Sequence, residues 1–178
     1  MTFLKLKFNF ICFIALFSIT YAANAKIKPP FDNISVKNIP KSYSYLKFQD
    51  INGNTINLKD YSGNIVILNF WATWCAPCKE EMPSLDKLQL SKSINNLKIF
   101  PINIEKKNVK RSKEFYSSIN VKNIDIYFDP ESSLANILSL RGVPTTVLFN
   151  DEGKEFARII GSIDFMDKKF IYWLSQYK

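Results

Sequence analysis

Residues 65–78 read IVILNFWATWCAPC, an apolar run followed closely by two cysteines that are separated by two residues. The run from Ile65 to Trp71 has the length of a strand, and its near-continuous apolar character is typical of a central strand buried on both faces. Cys75 and Cys78 follow where this strand gives way to a predicted helix. The stretch therefore predicts an α/β fold with paired sulfurs at the end of its central strand.

Outside this stretch, predicted strands and helices alternate without an internal repeat. Further strands are predicted over Leu46–Gln49, Thr55–Leu58, Leu97–Ile104, Ile124–Phe128, Thr145–Phe149 and Glu155–Ile160. Helices are predicted from Ala76 or Pro77 to Ile94 with a kink at Pro83, from Lys110 to Ile119, from an Asp129-Pro130 start through Leu140, and along an apolar stripe from Met166 to Tyr177. Hairpins at Asn52-Gly53 and at residues 150–153 make the predicted sheet mixed, with helices flanking it.

The first 25 residues have the pattern of a signal peptide. Two lysines precede an apolar run from Phe10 to Ala23, and Ala23-Asn24-Ala25 has the small-x-small form of a cleavage site. The run falls short of the roughly 18 to 20 apolar residues of a membrane-spanning helix. Cleavage and export to the periplasm are therefore favoured over the alternative, an uncleaved N-terminal membrane anchor.

A linker and one domain are expected after the leader. Residues 26–45 contain three prolines and are expected to form an arm or linker. The domain itself is expected over residues 46–178, a length that is ordinary for a single domain.

The chain carries 24 lysines and arginines against 16 acidic residues, a formal net charge of +8. The lysines are scattered through a sequence rich in Asn, Ile and Phe, and export removes DNA as a partner, so no nucleic acid is expected to bind. One group of cations is expected to form a solvated helix face and its approach loop: Lys106, Lys107, Lys110, Arg111 and Lys113.

The chain contains no histidine, and this restricts its chemistry. An imidazole base and a Cys-His nucleophile pair are both excluded. A structural zinc site needs four ligands, whereas the mature chain is expected to retain only Cys75 and Cys78, so no metal site is expected. A disulfide between these cysteines closes too short a loop to restrain the unfolded chain much, which favours redox catalysis over a structural role.

The two cysteines are expected to have different roles. Unpaired amides and the dipole at the start of the helix stabilise a thiolate, so we expect an exposed Cys75 with a lowered pKa that acts as nucleophile. Cys78 lies one turn further in, is shielded, and is expected to attack the mixed disulfide and release the partner. Pro77 costs no hydrogen bond in the first helical turn and limits the freedom of the loop.

The run from Asn69 to Pro83, followed by Gly142-Val143-Pro144-Thr145-Thr146, resembles the TlpA/ResA/DsbE group of thiol:disulfide oxidoreductases in the thioredoxin superfamily. The resemblance spans roughly Leu46 to Lys178. It implies a thioredoxin-like fold with an added N-terminal β-hairpin and a βα insertion. It also implies that Pro144 is cis, faces the disulfide, and leaves the Val143 backbone free to pair with an extended segment of a partner.

The resemblance further assigns Glu81 a role in proton handling near the buried thiol. The alternative is that Glu81 is a surface glutamate of the helix, as is expected for Glu80 beside it. Asn69 stands where ordinary thioredoxins have a buried aspartate, which shifts any proton transfer toward Glu81. Residues expected to shape the docking surface for a client are Trp74, Ala76, Pro77, Val143 and Thr145.

The expected function is that of an exported thiol:disulfide oxidoreductase with no cofactor beyond the Cys75–Cys78 disulfide. It is expected to act as a monomer that reduces disulfides in client proteins of cytochrome c maturation or copper-site assembly, and to receive electrons from an upstream membrane donor. Two alternatives remain open, a general disulfide-forming oxidant and a Cu(I) metallochaperone that uses both cysteines as soft ligands. A peroxidase is disfavoured because Ala72, not threonine, precedes Cys75 by three positions.

Overall fold

The computed structural model describes residues 28–129 and 131–177, so the predicted leader lies outside the described residues. Strands in this part of the chain are β1 (Ile34–Lys41), β2 (Lys47–Gln49), β3 (Thr55–Asn57), β4 (Ile65–Trp71), β5 (Leu97–Asn103), β6 (Tyr127–Phe128), β7 (Thr145–Phe149) and β8 (Glu155–Ile160). The α-helices are α1 (Ala76–Leu90), α2 (Val109–Ser118), α3 (Ser133–Ile137) and α4 (Lys168–Leu174), with a 3₁₀ turn over Leu58–Tyr61. These strands form one sheet in the order β1-β8-β7-β4-β5-β6-β2-β3. None of the helices among the described residues is long and apolar enough to span a membrane.

Strand β4 lies inside the sheet and is buried along its whole length, as predicted. It runs parallel to β5 and antiparallel to β7, which confirms a mixed sheet. Its side chains alternate between two cores: Ile67 packs with residues of α1, α2 and α4, whereas Leu68 packs with α3 and the β2–β3 hairpin. Because apolar layers cover both faces of β4, its sequence does not alternate between apolar and polar residues as a strand with one solvent-facing side would.

The prediction of a linker over residues 26–45 is wrong for residues 34–41, which form β1. This strand pairs antiparallel with β8, with Ile34 opposite Ile159 and Val36 opposite Ala157. Ile34 is buried in the same core as α1. The prolines suggested a linker, but a proline is tolerated in an edge strand because one side of that strand has no partner.

Helix α1 ends at Leu90 rather than at Ile94. Ser91 is extended (φ −71°, ψ 133°), and its N–H donates to the carbonyl of Leu88, which closes the helix. Ile94 is still buried, but it reaches the core from the loop that leads into β5. The predicted helix was too long because Ile94, a core residue in a loop, happens to fit the helical spacing of apolar residues.

Helix α3 is much shorter than the segment predicted from Asp129 through Leu140. The Asp129 carboxylate accepts hydrogen bonds from the N–H groups of Leu134 and Ala135, so it binds the amino end of the helix as expected of a capping side chain. The helix itself starts only at Ser133. Ser139 has a left-handed backbone (φ 53°), which ends the helical segment before Leu140. Pro130 lies outside the described residues.

Strand β6 covers two residues rather than the predicted Ile124–Phe128, and Asp86 of α1 binds the loop at the predicted start. This buried carboxylate accepts hydrogen bonds from the N–H groups of Lys122, Asn123 and Ile124, at 3.1, 2.6 and 3.1 Å. Its second oxygen accepts from Asn123 Nδ2 at 2.7 Å. Because the N–H of Ile124 is used by this side chain, the predicted strand does not begin at Ile124, and α1 is tied to the loop before β6.

Replacing Asp86 by alanine is expected to lower the free energy of unfolding by about 3 kcal/mol, since four hydrogen bonds, one of them from the buried N–H of Ile124, would lose a charged acceptor. Asp86→Asn is the matched control because it retains one acceptor oxygen. Its free energy of unfolding should fall clearly less than that of the alanine variant. Urea unfolding monitored by tryptophan fluorescence measures both. An alanine variant as stable as the asparagine variant would contradict this role for the carboxylate.

Candidate active site

The two cysteines form a disulfide at the amino end of α1, directly after β4. Their Sγ atoms are 2.08 Å apart and their Cα atoms 5.3 Å apart. Cys75 is the N-cap residue of α1, and its Sγ accepts a hydrogen bond from the N–H of Cys78 at 3.2 Å. Ala76 and Pro77 occupy the first two helical positions, where the missing N–H of proline costs nothing. The predicted placement of the sulfurs is confirmed.

The expected exposure of Cys75 is wrong for the disulfide form. Cys75 is only 3% exposed, and Cys78 is completely buried. The physical reason is that the Sγ of Cys75 is bonded to Cys78 while exposed neighbours surround it: Trp74 is 65% exposed, and Ala76 and Pro77 are also exposed. These three residues form the exposed surface around the disulfide, and their part in docking a partner stays a prediction.

The peptide bond between Val143 and Pro144 is cis, as the resemblance implied. It directly precedes β7, whose first residue Thr145 pairs with Phe70 near the end of β4. Antiparallel pairing thus brings this loop to the edge of the sheet that carries the cysteines. Val143 is half-buried and Pro144 is buried.

Thr145, which was expected to help shape the docking surface, has a buried side chain. It is only 2% exposed, and its Oγ1 donates to the carbonyl of Gly142 at 2.7 Å. The hydroxyl is used to fold the loop back before β7, which explains its burial. The Thr145 side chain is therefore not part of the exposed surface around the disulfide.

Glu81 is buried beneath the site, and the alternative of a surface glutamate is wrong. Its side chain is 2% exposed, whereas the neighbouring Glu80 is exposed. Asn69 Nδ2 donates to Glu81 Oε1 at 2.7 Å and to Thr146 Oγ1 at 3.0 Å. This polar group joins α1, β4 and β7, the three elements that carry or flank the cysteines and Pro144. Sequence reasoning missed Thr146, although its register opposite Asn69 places both side chains on one face of the sheet.

Burial raises the pKa of Glu81 to about 7, because the interior solvates a charged carboxylate poorly. The hydrogen bond from Asn69 and the nearby backbone amide of Ile163 lower it, but by less than burial raises it. Glu81 Oε2 and Asn69 Oδ1 form no hydrogen bond within the described structure. A carboxyl with this pKa can accept or release a proton near neutral pH.

Replacing Glu81 by glutamine is expected to change how stability depends on pH. The folded pKa of Glu81 lies near 7, above its ordinary value of 4.5, so the unfolded chain ionises first as the pH rises. The wild type should therefore lose up to about 3 kcal/mol of unfolding free energy relative to the variant between about pH 4 and pH 8. Urea unfolding of both oxidised proteins across this range measures the difference. A difference that does not vary with pH would contradict the raised pKa.

The loop before Cys75 is held by a second carboxylate, Glu105, which sequence reasoning also missed. Glu105 Oε2 accepts from the N–H of Thr73 at 2.6 Å, and Oε1 accepts from the Thr73 hydroxyl at 3.1 Å. The N–H of Glu105 donates in turn to Asn103 Oδ1 at 2.7 Å. The β5–α2 loop therefore lies against the loop that presents Trp74 and Cys75.

No group of three or more Cys, His, Asp or Glu side chains within residues 28–129 and 131–177 is placed to hold a metal ion. The chemical capacity of the site lies in a disulfide that can be reduced to two thiols, with a buried carboxyl one helical turn beyond Cys78. Such a pair exchanges two electrons with another thiol or disulfide.

Comparison with known proteins agrees with this geometry. The chain is 31% identical over 112 residues to a thiol-disulfide oxidoreductase ResA of Bacillus cereus, covering 63% of this chain and 64% of that protein. It is 32% identical over 122 residues to ResA of Geobacillus thermodenitrificans, and the match covers 67% of this chain and 68% of that protein. The crystal structure of a DsbF homologue from Corynebacterium diphtheriae has the same fold, with a TM-score of 0.65 at 20% identity over 82% of this chain and 95% of that chain.

The match to ResA of Bacillus cereus thus spans a little under two thirds of that relative's length. The fold is thioredoxin-like, as predicted, with the added hairpin β2–β3. A family model described as AhpC/TSA family matches residues 39–154. Because these residues include the disulfide, Glu81 and the cis Val143–Pro144 bond, and make up more than half of the sequence, the chain belongs to the AhpC/TSA family.

Proposed function

We propose that this chain is a thiol:disulfide oxidoreductase that reduces disulfides in client proteins. The observation that carries the proposal is the Cys75–Cys78 disulfide at the amino end of α1, with Glu81 buried one turn beyond Cys78. Relatives named thiol-disulfide oxidoreductase, at 31% and 32% identity, support it.

In the proposed reaction the reduced form attacks first through Cys75. Its thiolate forms a bond to one sulfur of the client disulfide, and the other client sulfur leaves as a thiolate. Cys78 then attacks the Cys75 sulfur of this mixed disulfide, which regenerates the Cys75–Cys78 disulfide and releases the second client thiol. Two electrons pass from the chain to the client, so a dithiol donor must reduce the chain again before the next cycle.

Glu81 is proposed to accept the proton of Cys78 as that thiol becomes the attacking thiolate. The two residues are three apart on α1, so their side chains lie on neighbouring turns of one face. A buried thiol ionises reluctantly, and a buried carboxylate with a pKa of about 7 can take its proton without exposing the site to water. Asn69 and Thr146 act as positioning residues, since they fix Glu81 through hydrogen bonds.

The docking surface is proposed to consist of Trp74, Ala76 and Pro77 together with the backbone of Val143. Trp74 precedes Cys75, and Ala76 and Pro77 lie between the two cysteines. All three are exposed around the buried disulfide. An extended client segment that pairs with the Val143 backbone would place its own disulfide against Cys75.

The predicted leader supports a proposal for the cellular setting. We propose that the chain is exported to the periplasm, where it acts as a monomer and receives electrons from a membrane donor. Clients of cytochrome c maturation or copper-site assembly are proposed because both roles occur in the TlpA/ResA/DsbE group that the chain resembles. The signal-peptide pattern over residues 1–25 supports export.

Trapping with Cys78→Ser tests the proposal, since this variant can form the mixed disulfide but cannot resolve it. The expected result is a small set of client proteins covalently bound through Cys75 and released by dithiothreitol. The matched control, Cys75→Ser, should capture none of them. Equal capture by both variants, or none by either, would contradict the proposed reaction.

A further inference from the structure

A cluster of cations, here called the basic lip, lies on the β5–α2 loop and α2. It consists of Lys106, Lys107, Lys110, Arg111 and Lys113. Residues 104–114 contain only two acidic residues, Glu105 and Glu114. The sequence alone indicated a solvated helix face, which is the usual meaning of such a run.

The structure places Lys106 and Arg111 of the basic lip across a cleft from Thr73, just before the cysteines, whereas Lys107 Nζ donates to the carbonyl of Asp50 at 3.3 Å. Glu105 connects the two sides of the cleft, because its carboxylate binds the backbone and hydroxyl of Thr73 while Arg111 Nη2 lies 3.7 Å from its Oε1. Thr73 is two residues before Cys75 and adjacent to the exposed Trp74. A cleft of about 400 Å³ separates the two loops, and Thr73, Lys106 and Arg111 are among the residues that line it.

The positive charge of the basic lip is only weakly neutralised. Glu105 lies 3.7 Å from Arg111 and offsets part of its charge, but five cations stand against two carboxylates in residues 104–114, which leaves a net charge of +3. Glu114 lies 4.0 Å from Lys110, but both side chains are highly exposed, and such pairs are weak and screened by salt. Lys106 and Lys113 are exposed as well. A net positive charge therefore lies beside the cleft that Thr73 lines, one residue before Trp74.

We propose that the basic lip binds acidic residues that flank the disulfide of the client, an inference that rests on the function proposed above. A client that reaches Cys75 must lie across Trp74, so the residues next to its disulfide pass over Thr73 and the adjacent cleft. Complementary charge at such a contact accelerates encounter and selects partners. An anionic membrane is the weaker candidate, because a membrane bound at this face would cover the disulfide.

The test uses the reduced wild-type protein and two disulfide-bonded peptides that differ only in their flanking residues, aspartate in one and lysine in the other. Second-order rate constants are measured at low salt and at about 0.5 M salt. The charge-reversed variant carries Lys106→Glu and Lys110→Glu. The matched control carries Lys92→Glu and Lys98→Glu, exposed sites at the opposite end of the sheet, where Lys98 pairs with Val66 near the start of β4.

The expected result is that the wild type reduces the acidic peptide about tenfold faster than the basic peptide at low salt, and that high salt removes most of this preference. The charge-reversed variant should lose or invert the preference, and the control should keep it. Equal rates for both peptides, or the same change in the control, would overturn the proposal. So would equal rates combined with binding to vesicles of anionic phospholipid that the charge reversal abolishes.

Failure of the underlying function has a different signature. If the wild type reduced neither peptide and also failed to reduce a small uncharged disulfide, the proposed oxidoreductase activity and this inference would both fall. If it reduced the uncharged disulfide but showed no charge preference, only the role of the basic lip would fall.

Discussion

Replacing Cys75 by serine is expected to reduce the rate of client disulfide reduction by about a thousandfold or more. A serine hydroxyl at this position ionises far less readily than a thiol and cannot form a disulfide with the client. The position is specific, because Cys75 is the N-cap residue of α1 and lies among the exposed residues Trp74, Ala76 and Pro77. Cys78 lies inside α1 behind this N-cap position, so we expect it to be a poor first attacking sulfur.

Cys78→Ser is the matched control for this experiment, since it also removes the disulfide but leaves the first attack intact. Single-turnover mixing of each dithiothreitol-treated variant with a disulfide-bonded peptide separates the two cases. Cys78→Ser should consume peptide disulfide rapidly and stop at the mixed disulfide, whereas Cys75→Ser should barely react. Rapid reaction of Cys75→Ser would show that the roles of the two sulfurs are reversed.

Replacing Glu81 by glutamine is expected to slow the resolving step by about a hundredfold, the lower range for loss of a positioned proton acceptor. Only the ionised carboxylate can accept the Cys78 proton, so the wild-type rate should rise as the pH increases through about 7, the pKa of Glu81. The glutamine side chain is nearly the same size and keeps an oxygen that can accept the hydrogen bond from Asn69. The variant should therefore lose the inflection near pH 7 while it remains folded.

Glu80→Gln is the control for this variant because Glu80 precedes Glu81 on the same helix but is exposed. It should keep the wild-type rate and pH profile. The measurement is the rate of client release from the mixed disulfide between about pH 5 and pH 9. A glutamine variant of Glu81 that retains the inflection would assign the titration to another group and refute the proton-accepting role.

Much of the fold could be predicted from the sequence because its central elements carry strong local patterns. The strands Ile65–Trp71, Thr145–Phe149 and Glu155–Ile160 agree with prediction at both ends, and α2 is displaced by one residue. These strands are apolar on faces that the structure buries. The hairpin at Asn52-Gly53 is also present, with Gly53 at a positive φ of 93° as its turn requires.

The elements that were mispredicted depend on contacts with distant parts of the chain. Strand β1 forms because β8 offers an unpaired edge, and no local pattern in a proline-containing segment indicates that edge. The loop at the predicted start of β6 is bound by Asp86, a residue 36 positions before the first amide that it binds. Contacts of this kind are set by the tertiary fold, so local periodicity does not contain them.

The same distinction applies to the site. The cysteine pair lies in one continuous stretch and was predicted directly from that stretch. Glu81 was assigned by resemblance alone, and its burial with Asn69 and Thr146 becomes visible only when three separate elements meet. The contact between Glu105 and Thr73 crosses 32 positions and left no signal in the sequence pattern.

The central claim is that Cys75 and Cys78 form one redox unit that transfers two electrons. It is tested most directly by equilibrating the wild-type protein in buffers of varied dithiol-to-disulfide ratio, alkylating the free thiols and mapping them by mass spectrometry. The account predicts that both cysteines are oxidised together along one two-electron curve. The ratio of reduced to oxidised protein should change tenfold for each change of about 30 mV in the buffer potential. Separate conversion of the two cysteines, or no conversion at any ratio, would contradict it.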